Sequence, residues 1–273
     1  MQQISGLSEV MDKYDHFFID VWGVIYDGVR LAPDMVGTFQ KMEEAGKSWA
    51  FVSNTPRVPS FLEKIFTAVD APEKIYKDRL LTAGGSTRKS LLERLDEPCY
   101  IMARHEAGGL LDGLTLNTVD SPEKASYMLN SIATGNQEYM TYFSKVMETG
   151  LERDIPMVCA NPDLEVVHDG TLYTCAGHFA QLYEDNGGTV EWHGKPFVPI
   201  YNWGWEVLGK PDKSRICMIG DSLRTDVTGA KNFGIDCIWN LDGTTAHLSA
   251  EEAEAKAAEK GLHPAHIMRG FSW

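Results

Sequence analysis

The sequence predicts a doubly wound, Rossmann-like α/β core built on a parallel sheet, with a second α/β unit inserted into it. Three observations predict this. The apolar runs beginning at His16, Trp49 and Ile216 are short, and they end in the polar residues Asp20, Ser53-Asn54 and Asp221. Runs of that length and composition read as buried strands. Helix-period patterns follow the strands, and strand–helix alternation builds parallel sheets. The texture changes near Thr82 and reverts near Asn186, so residues 1–81 and 187–273 are expected to form the core around an insert of residues 82–186.

Taken in order, His16-Phe-Phe-Ile19 runs into Asp20, and Gly23 breaks the pattern. Pro33 suits a first helical turn, and Met35, Phe39 and Met42 recur at helical spacing until Gly46 stops them. After the second strand, Ser60 and Glu63 match a capping box, with Leu62, Ile65, Phe66 and Val69 on one helical face. Inside the insert, Gly84-Gly85 opens a helix carrying Leu91, Leu92 and Leu95. Strands are expected at Cys99–Met102, near Ala125–Leu129 and at Ile155–Cys159, with a helix over Gln137–Glu148. Glu165–Cys175 reads as a hairpin turning at Asp169-Gly170. Beyond the insert, Gly194-Lys195-Pro196 leads into a helix. Leu223–Phe233 reads as a helix closed by Gly234, Ile235–Trp239 as a strand, and the Ala/Glu/Lys-rich Ser249–Gly261 as a solvated helix.

A chain of 273 residues, 43% of them hydrophobic, can bury a sizeable core. Its formal net charge of −14 argues against nucleic acid and anionic membrane surfaces, which need a basic footprint. A small phosphorylated ligand needs only a local pocket and stays open. The N-terminal stretch lacks the charged start and apolar run of a secretory signal, and no window reaches the roughly 18 apolar residues of a membrane span. Five cysteines stand far apart without a C-x-x-C pair, as expected of reduced core thiols in a cytoplasmic protein. The eight histidines show no metal-ligand spacing; His263 and His266 are expected at the surface, and for His178 a substrate contact stays open. Trp203 and Trp205 are expected to pack.

A carboxylate at the end of a buried strand is costly unless something pairs with it. In open parallel sheets, ligands bind beyond the carboxyl ends of the strands. That geometry would bring Asp20, Ser53 and Asp221 together. Two adjacent carboxylates call for a hard cation, and Mg²⁺ takes one or two carboxylates, water and a phosphate oxygen. Ser53 and Asn54 offer donors to phosphate, and Lys195 offers positive charge. Each also has a plainer reading: a helix cap for either aspartate, a loop for Ser53-Asn54, a solvated side chain for Lys195.

The ordered set Asp20…Ser53-Asn54…Lys195…Gly220-Asp221-x-x-x-x-Asp226 resembles the four-motif layout of the haloacid dehalogenase superfamily, most of whose members are Mg²⁺-dependent phosphohydrolases. The long insert resembles a class-two cap. Ala160-Asn161-Pro162-Asp163 and Gly194-Lys195-Pro196 are similar to subfamily IIA, which includes nitrophenylphosphatase-like, pyridoxal-phosphate-phosphatase-like and sugar-phosphate phosphatases. The resemblance implies that Asp20 is a nucleophile forming an aspartyl phosphate. It implies that Ser53 and Asn54 hold the transferring group and that Lys195 offsets charge. Asp20, Asp221, Asp226 and the backbone carbonyl of Trp22 would surround Mg²⁺. Asn161 is expected to bind substrate; with Asp163, positioning the cap or making a turn are both open. The substrate implied is a small phosphorylated metabolite, and cap-mediated homodimers occur among similar proteins.

One position departs from the pattern. Where these phosphatases carry a second Asp two residues after the nucleophile, this chain has Trp22. A general acid–base group is worth roughly 10²–10⁴ in rate. Three readings follow: a phosphatase using good leaving groups or borrowing a carboxylate such as Asp27; a non-hydrolytic phospho-ligand binder; and, ranked last because Asp20 and Ser53 are too close to enclose a cap, phosphonate cleavage.

Overall fold

The structure is a computed structural model describing residues 1–102, 109–134, 137–168 and 171–273. The strands, in chain order, are β1 (Gln2–Gln3), β2 (His16–Ile19), β3 (Ser48–Ser53), β4 (Leu80–Thr82), β5 (Cys99–Met102), β6 (Tyr127–Asn130) and β7 (Ala133–Thr134). They continue with β8 (Met157–Cys159), β9 (Glu165–His168), β10 (Thr171–Cys175), β11 (Val190–Trp192), β12 (Ile216–Gly220), β13 (Asp236–Asn240) and β14 (His266–Met268). The α-helices are α1 (Met35–Glu44), α2 (Pro59–Thr67), α3 (Glu73–Tyr76), α4 (Ala83–Leu92), α5 (Gln137–Glu152), α6 (Ala176–Asp185), α7 (Val198–Val207), α8 (Thr228–Phe233) and α9 (Ala250–Glu259).

The chain divides into two compact units: residues 1–53, 62–81 and 195–273 form one, and residues 54–61 and 82–194 the other. The first holds a seven-stranded sheet in the order β1-β14-β13-β12-β2-β3-β4. From β2 the chain winds outward through β3 and β4; from β12 it winds the other way through β13 and β14. The order therefore reverses between β2 and β12, the switch point where a crevice opens at the strand ends. Both neighbours of β2 run parallel to it, with Ile19 opposite Ile219 on one side and Phe51 on the other. Phe18, Ala50, Val52, Met218 and Trp239 belong to one buried cluster, completed by Ile200 and Tyr201 of α7 and by Val227 and Phe233. Gly204 lets α7 approach, because a Cβ there would lie 2.5 Å from the Phe18 ring.

The inserted unit holds a four-stranded sheet, β11-β8-β6-β5, with parallel pairings, and a three-stranded antiparallel sheet, β7-β10-β9. Leu91, Cys99, Tyr127, Leu129 and Val158 form a buried cluster. In this unit β11 pairs with β8, which carries residues 187–194 into it, past the boundary expected at 187. Three residues of β-pattern at Val190–Trp192 are too short to signal a strand on their own.

Several local expectations change. Helix α2 starts at Pro59, so Ser60 lies inside it and the Ser60/Glu63 capping box does not form. A complete capping box closes the start of α9 instead, with Ser249 and Glu252 exchanging bonds. Residues 223–233 are not one α-helix: Leu223–Val227 form a π-helical turn before α8 begins. His266, expected at the surface, is 5% exposed in β14 and edge-on to Tyr14. His263 is exposed, as expected. All five cysteines are buried and free. The expected turn at Asp169-Gly170 lies outside the described residues. Among the described residues, no helix is long and apolar enough to cross a membrane.

Candidate active site

Asp20 leaves the sheet at the end of β2, its N–H donating to the Ile219 carbonyl at 2.9 Å. Its Oδ1 accepts the Val21 N–H at 2.7 Å and pairs with Lys195 Nζ at 2.7 Å. Lys195, 1% exposed, also reaches Asp226 Oδ1 at 2.7 Å. Asp20, Asp221 and Asp226 each offer a carboxylate oxygen within 4.8 Å of the others. Side chains far apart in sequence thus meet at the reversal of strand order, and all three carboxylates are buried.

Local structure delivers each group. Gly23 turns the chain after Trp22 with a φ of +79°, and a Cβ there would stand 2.3 Å from Asp221 Oδ2. Gly220 lacks the Cβ that would lie 2.2 Å from the Asp226 side chain. In the π-helical turn, Asp226 Oδ2 accepts the Ser222 N–H at 3.0 Å while Asp226 N–H returns to the Ser222 carbonyl at 3.0 Å. The Val227 N–H also reaches the Ser222 carbonyl at 3.1 Å, the five-residue spacing of a π-turn, and the other Asp226 carboxylate oxygen pairs with Lys195; π-turns concentrate at functional sites.

The charges are unbalanced. Three carboxylates face one ammonium. Burial, then the neighbouring Asp226 and Asp221, raises Asp20 well above the ordinary carboxylate range, with Lys195 opposing the shift. Asp221 is pushed up to about 6 by burial and by Asp226, against the pull of Thr244. Burial alone would lower Lys195, yet Asp20 and Asp226 outweigh it and hold the ammonium charged.

An all-oxygen donor set with excess negative charge suits Mg²⁺. Octahedral bonds of about 2.1 Å place ligand oxygens about 3–4 Å apart, within the 4.8 Å spacing found here. The residues present therefore fit this ion. Trp22 forms an isolated parallel bridge with Tyr26. That bridge uses the Val21 carbonyl and the Gly23 N–H, and neither backbone group of Trp22 itself.

Ser53 is buried at the end of β3, the strand beside β2. Asn54, next in the chain but in the inserted unit, donates its amide to Asp163 Oδ1 at 2.9 Å. Asn161 Oδ1 accepts the Asp163 N–H at 3.0 Å, so this residue makes a turn. Asp27 accepts the Val29 and Arg30 N–H groups at 2.7 and 2.5 Å, which hold its carboxyl below the ordinary range. It is tied into its own turn and favours the ionised form. Trp203 and Trp205 pack against the core cluster.

Sequence reasoning missed a supporting group after β13. Thr244 donates its N–H to Asp221 Oδ2 at 2.7 Å and its hydroxyl to the Asp221 carbonyl at 3.0 Å; Trp239 Nε1 reaches the same carbonyl at 2.9 Å. Asn240 Nδ2 donates to the Gly23 carbonyl at 3.0 Å. The signal was present: Ile235–Asn240 is another apolar run ending in a polar residue, and Gly243-Thr244 follows it.

Comparison with known proteins accords with this geometry. The haloacid dehalogenase-like hydrolase model matches residues 17–115, and a HAD-hydrolase-like model matches residues 192–270. The chain is 24% identical over 252 residues to an acid sugar phosphatase of Staphylococcus haemolyticus, spanning 89% of this chain and 91% of that one. Among solved structures, a haloacid dehalogenase-like hydrolase of Brucella suis superposes with a TM-score of 0.79 at 27% identity, covering 97% of this chain and 98% of that one. A p-nitrophenyl phosphatase of Archaeoglobus fulgidus gives a TM-score of 0.73 at 25% identity, covering 93% and 95%. With its switch-point carboxylates, its inserted α/β cap domain and matches at both ends of the core, the chain belongs to the haloacid dehalogenase-like hydrolases.

Proposed function

We propose that this chain is a Mg²⁺-dependent phosphatase acting on small phosphate monoesters through an aspartyl phosphate at Asp20. One observation carries the reading: the buried Lys195 ammonium bridges Asp20 and Asp226 at 2.7 Å each, inside a cluster of three carboxylates. That arrangement holds a carboxylate close to a fixed positive charge, where an anionic phosphoryl group can be approached.

Oδ1 of Asp20 is held by Lys195 and the Val21 N–H. Oδ2 carries neither bond and is the attacking atom. It forms a bond to phosphorus as the ester oxygen departs with its electron pair, and water then cleaves the acyl phosphate and regenerates the carboxylate. Lys195 lowers the repulsion between Asp20 and the incoming dianion. Ser53 offers its hydroxyl to a phosphoryl oxygen. Asp221, fixed by Thr244, and Asp226 would hold the metal with Asp20 and the Trp22 carbonyl. Bound there, Mg²⁺ neutralises the excess carboxylate charge and polarises phosphoryl oxygens. Positioning and electrostatics supply most of the rate. Asn54, Asn161 and Asp163 form one hydrogen-bonded loop set within the inserted unit. The phosphatase names of the relatives support the same substrate class.

Trp22 favours a second reading, a phospho-ligand binder that does not turn over, because no carboxylate stands at that position. A panel of phosphorylated metabolites, assayed for phosphate release with and without Mg²⁺, separates the two. Release that needs Mg²⁺ and disappears in Asp20→Asn supports the phosphatase. Tight binding of esters without release supports the binder.

A further inference from the structure

Strand β13 gives no carboxylate to the cluster of Asp20, Asp221 and Asp226. Its end and the residues just after it nevertheless reach two sides of that cluster. Asn240 donates its amide to the Gly23 carbonyl at 3.0 Å, and Thr244 donates its N–H to Asp221 Oδ2 at 2.7 Å. Asn240 is buried, and its Oδ1 accepts the Asp242 N–H at 3.3 Å, which fixes the way its amide faces. Gly23 is held from the other side as well, because its own N–H donates to the Tyr26 carbonyl at 2.9 Å. In a trans peptide the C=O and the N–H point in opposite directions. The Gly23 N–H therefore turns the Trp22 carbonyl away from Tyr26, and among the described residues that carbonyl accepts no hydrogen bond. Gly23 also lies against Asp221, since a Cβ on it would stand 2.3 Å from Asp221 Oδ2. A carbonyl without a donor, in the peptide next to a carboxylate, makes a pair of acceptors that a hard cation satisfies together.

Resting on the Mg²⁺-dependent reading, we propose that Asn240 is a positioning residue for the cation: by holding Gly23 it fixes the Trp22 carbonyl, so β13 sets cation affinity without supplying a ligand. The physical reason is preorganisation. Gly23 has a φ of +79° and no Cβ, so the peptide before it reorients at low steric cost. The bond to Tyr26 alone leaves that peptide able to pivot about its N–H. The bond from Asn240 to the Gly23 carbonyl removes the pivot. A donor that must be ordered at the moment of binding costs affinity, and a donor already fixed does not. Partners that orient metal ligands from outside are worth about 10–100-fold in metal affinity. Thr244 does the same for Asp221, so one short segment orients a neutral donor and a charged one.

The sequence supplies a reporter. Trp22-Gly23 and Trp203-Gly204 are the two Trp-Gly pairs of the chain. Full-length protein carrying ¹³C at the Trp carbonyl and ¹⁵N at Gly therefore gives two correlated amide signals. Titration with Mg²⁺ should move the Trp22-Gly23 signal and leave that of Trp203-Gly204, inside α7, in place. Asn240→Leu, close in volume but without a donor, should weaken Mg²⁺ binding by about 10-fold or more, read from that signal and by calorimetry. It should raise the Mg²⁺ concentration needed for half-maximal phosphate release more than it lowers the maximal rate. Parent-like Mg²⁺ affinity in this variant overturns the inference, however far its cation-free Tm falls. Asn240→Ala, a smaller change, carries the same two outcomes if the Leu variant does not fold. A Trp22-Gly23 signal that Mg²⁺ leaves unmoved also overturns the inference, while phosphate release that needs Mg²⁺ and is lost in Asp20→Asn keeps the phosphatase reading standing. No binding of Mg²⁺ by the parent chain overturns both.

Discussion

Asn54 donates its side-chain amide to Asp163 at 2.9 Å across 109 positions of sequence, and Gly194 leaves no room for a Cβ beside that pair. A methyl at position 194 would lie 2.8 Å from both Asn54 Oδ1 and Pro162 Cδ, at a φ of +111°. Gly194→Ala should therefore destabilise the chain by about 1–3 kcal/mol through overpacking, before the unfavourable φ adds more. Asp163→Ala, which removes the acceptor of that hydrogen bond without adding bulk, should lose about 1 kcal/mol. Chemical denaturation of both variants checks the order; equal losses would contradict the steric argument.

The carboxylate cluster ties cation binding to pH. Asp221 rises from an ordinary 3.8 to about 6, chiefly through burial. A folded-state pKa above the unfolded value means that the folded chain keeps a proton the unfolded chain has lost. Cation-free protein should therefore lose stability as pH rises through that window. Mg²⁺ needs the deprotonated carboxylate, so its stabilising effect should grow across the same range. Melting curves at about pH 5 and about pH 7.5 should show the larger Mg²⁺-induced rise in Tm at the higher pH, corresponding to about 2.7 kcal/mol of added stability at a hundredfold excess over Kd. Equal rises at both would contradict the role of Asp221.

Gly243 is held by contact with a neighbour. A Cβ there would stand 2.0 Å from Asp221 Oδ2 and 2.5 Å from Asp221 Cβ. Gly243→Ala should push the carboxylate off Thr244 and abolish the Mg²⁺-induced rise in Tm, while the far-UV spectrum stays native. A variant that keeps the full rise would show that Asp221 does not bind the ion.

Tyr201 is fully buried, and its hydroxyl has no hydrogen-bond partner among the described residues. An unsatisfied buried hydroxyl carries a desolvation penalty without return. Tyr201→Phe should leave the ring packing against Phe18 and Phe233 intact and raise stability by about 1 kcal/mol. A loss of similar size in urea unfolding would reveal an internal water bonded to that hydroxyl.

The fold and the carboxylate cluster were unevenly legible in the sequence. Asp20 and Asp221 stood out because each ends an apolar run, and the strand-end rule needs only that pattern. Lys195 and Asp226 carried no such signal; a lysine beside a proline and an aspartate inside a helical stretch have ordinary readings, and only the ordered set distinguished them. Thr244 and Trp239 act through a backbone N–H, a hydroxyl and an indole N–H on one aspartate, a role that many residue types can fill. His266 was misread because its strand has three residues, too few to show a period of two. The π-turn was invisible for a related reason: the bond from the Val227 N–H to the Ser222 carbonyl that widens it is a matter of geometry, not of composition.

The split core has a consequence for the order of events during synthesis. His16 pairs with Ser48 on one side and with Ile216 on the other. At roughly 5–20 residues per second, the strand that ends at Asp20 waits many seconds on the ribosome for its second neighbour. Residues 82–194 emerge in full during that wait and can organise their own sheets first. A nascent chain halted before Ile216 would carry a finished insert beside an open sheet edge, with Asp221 and Asp226 still unmade. The carboxylate cluster is then completed all at once, in the last stretch of translation, and the half-built sheet is the species that chaperones would have to shelter.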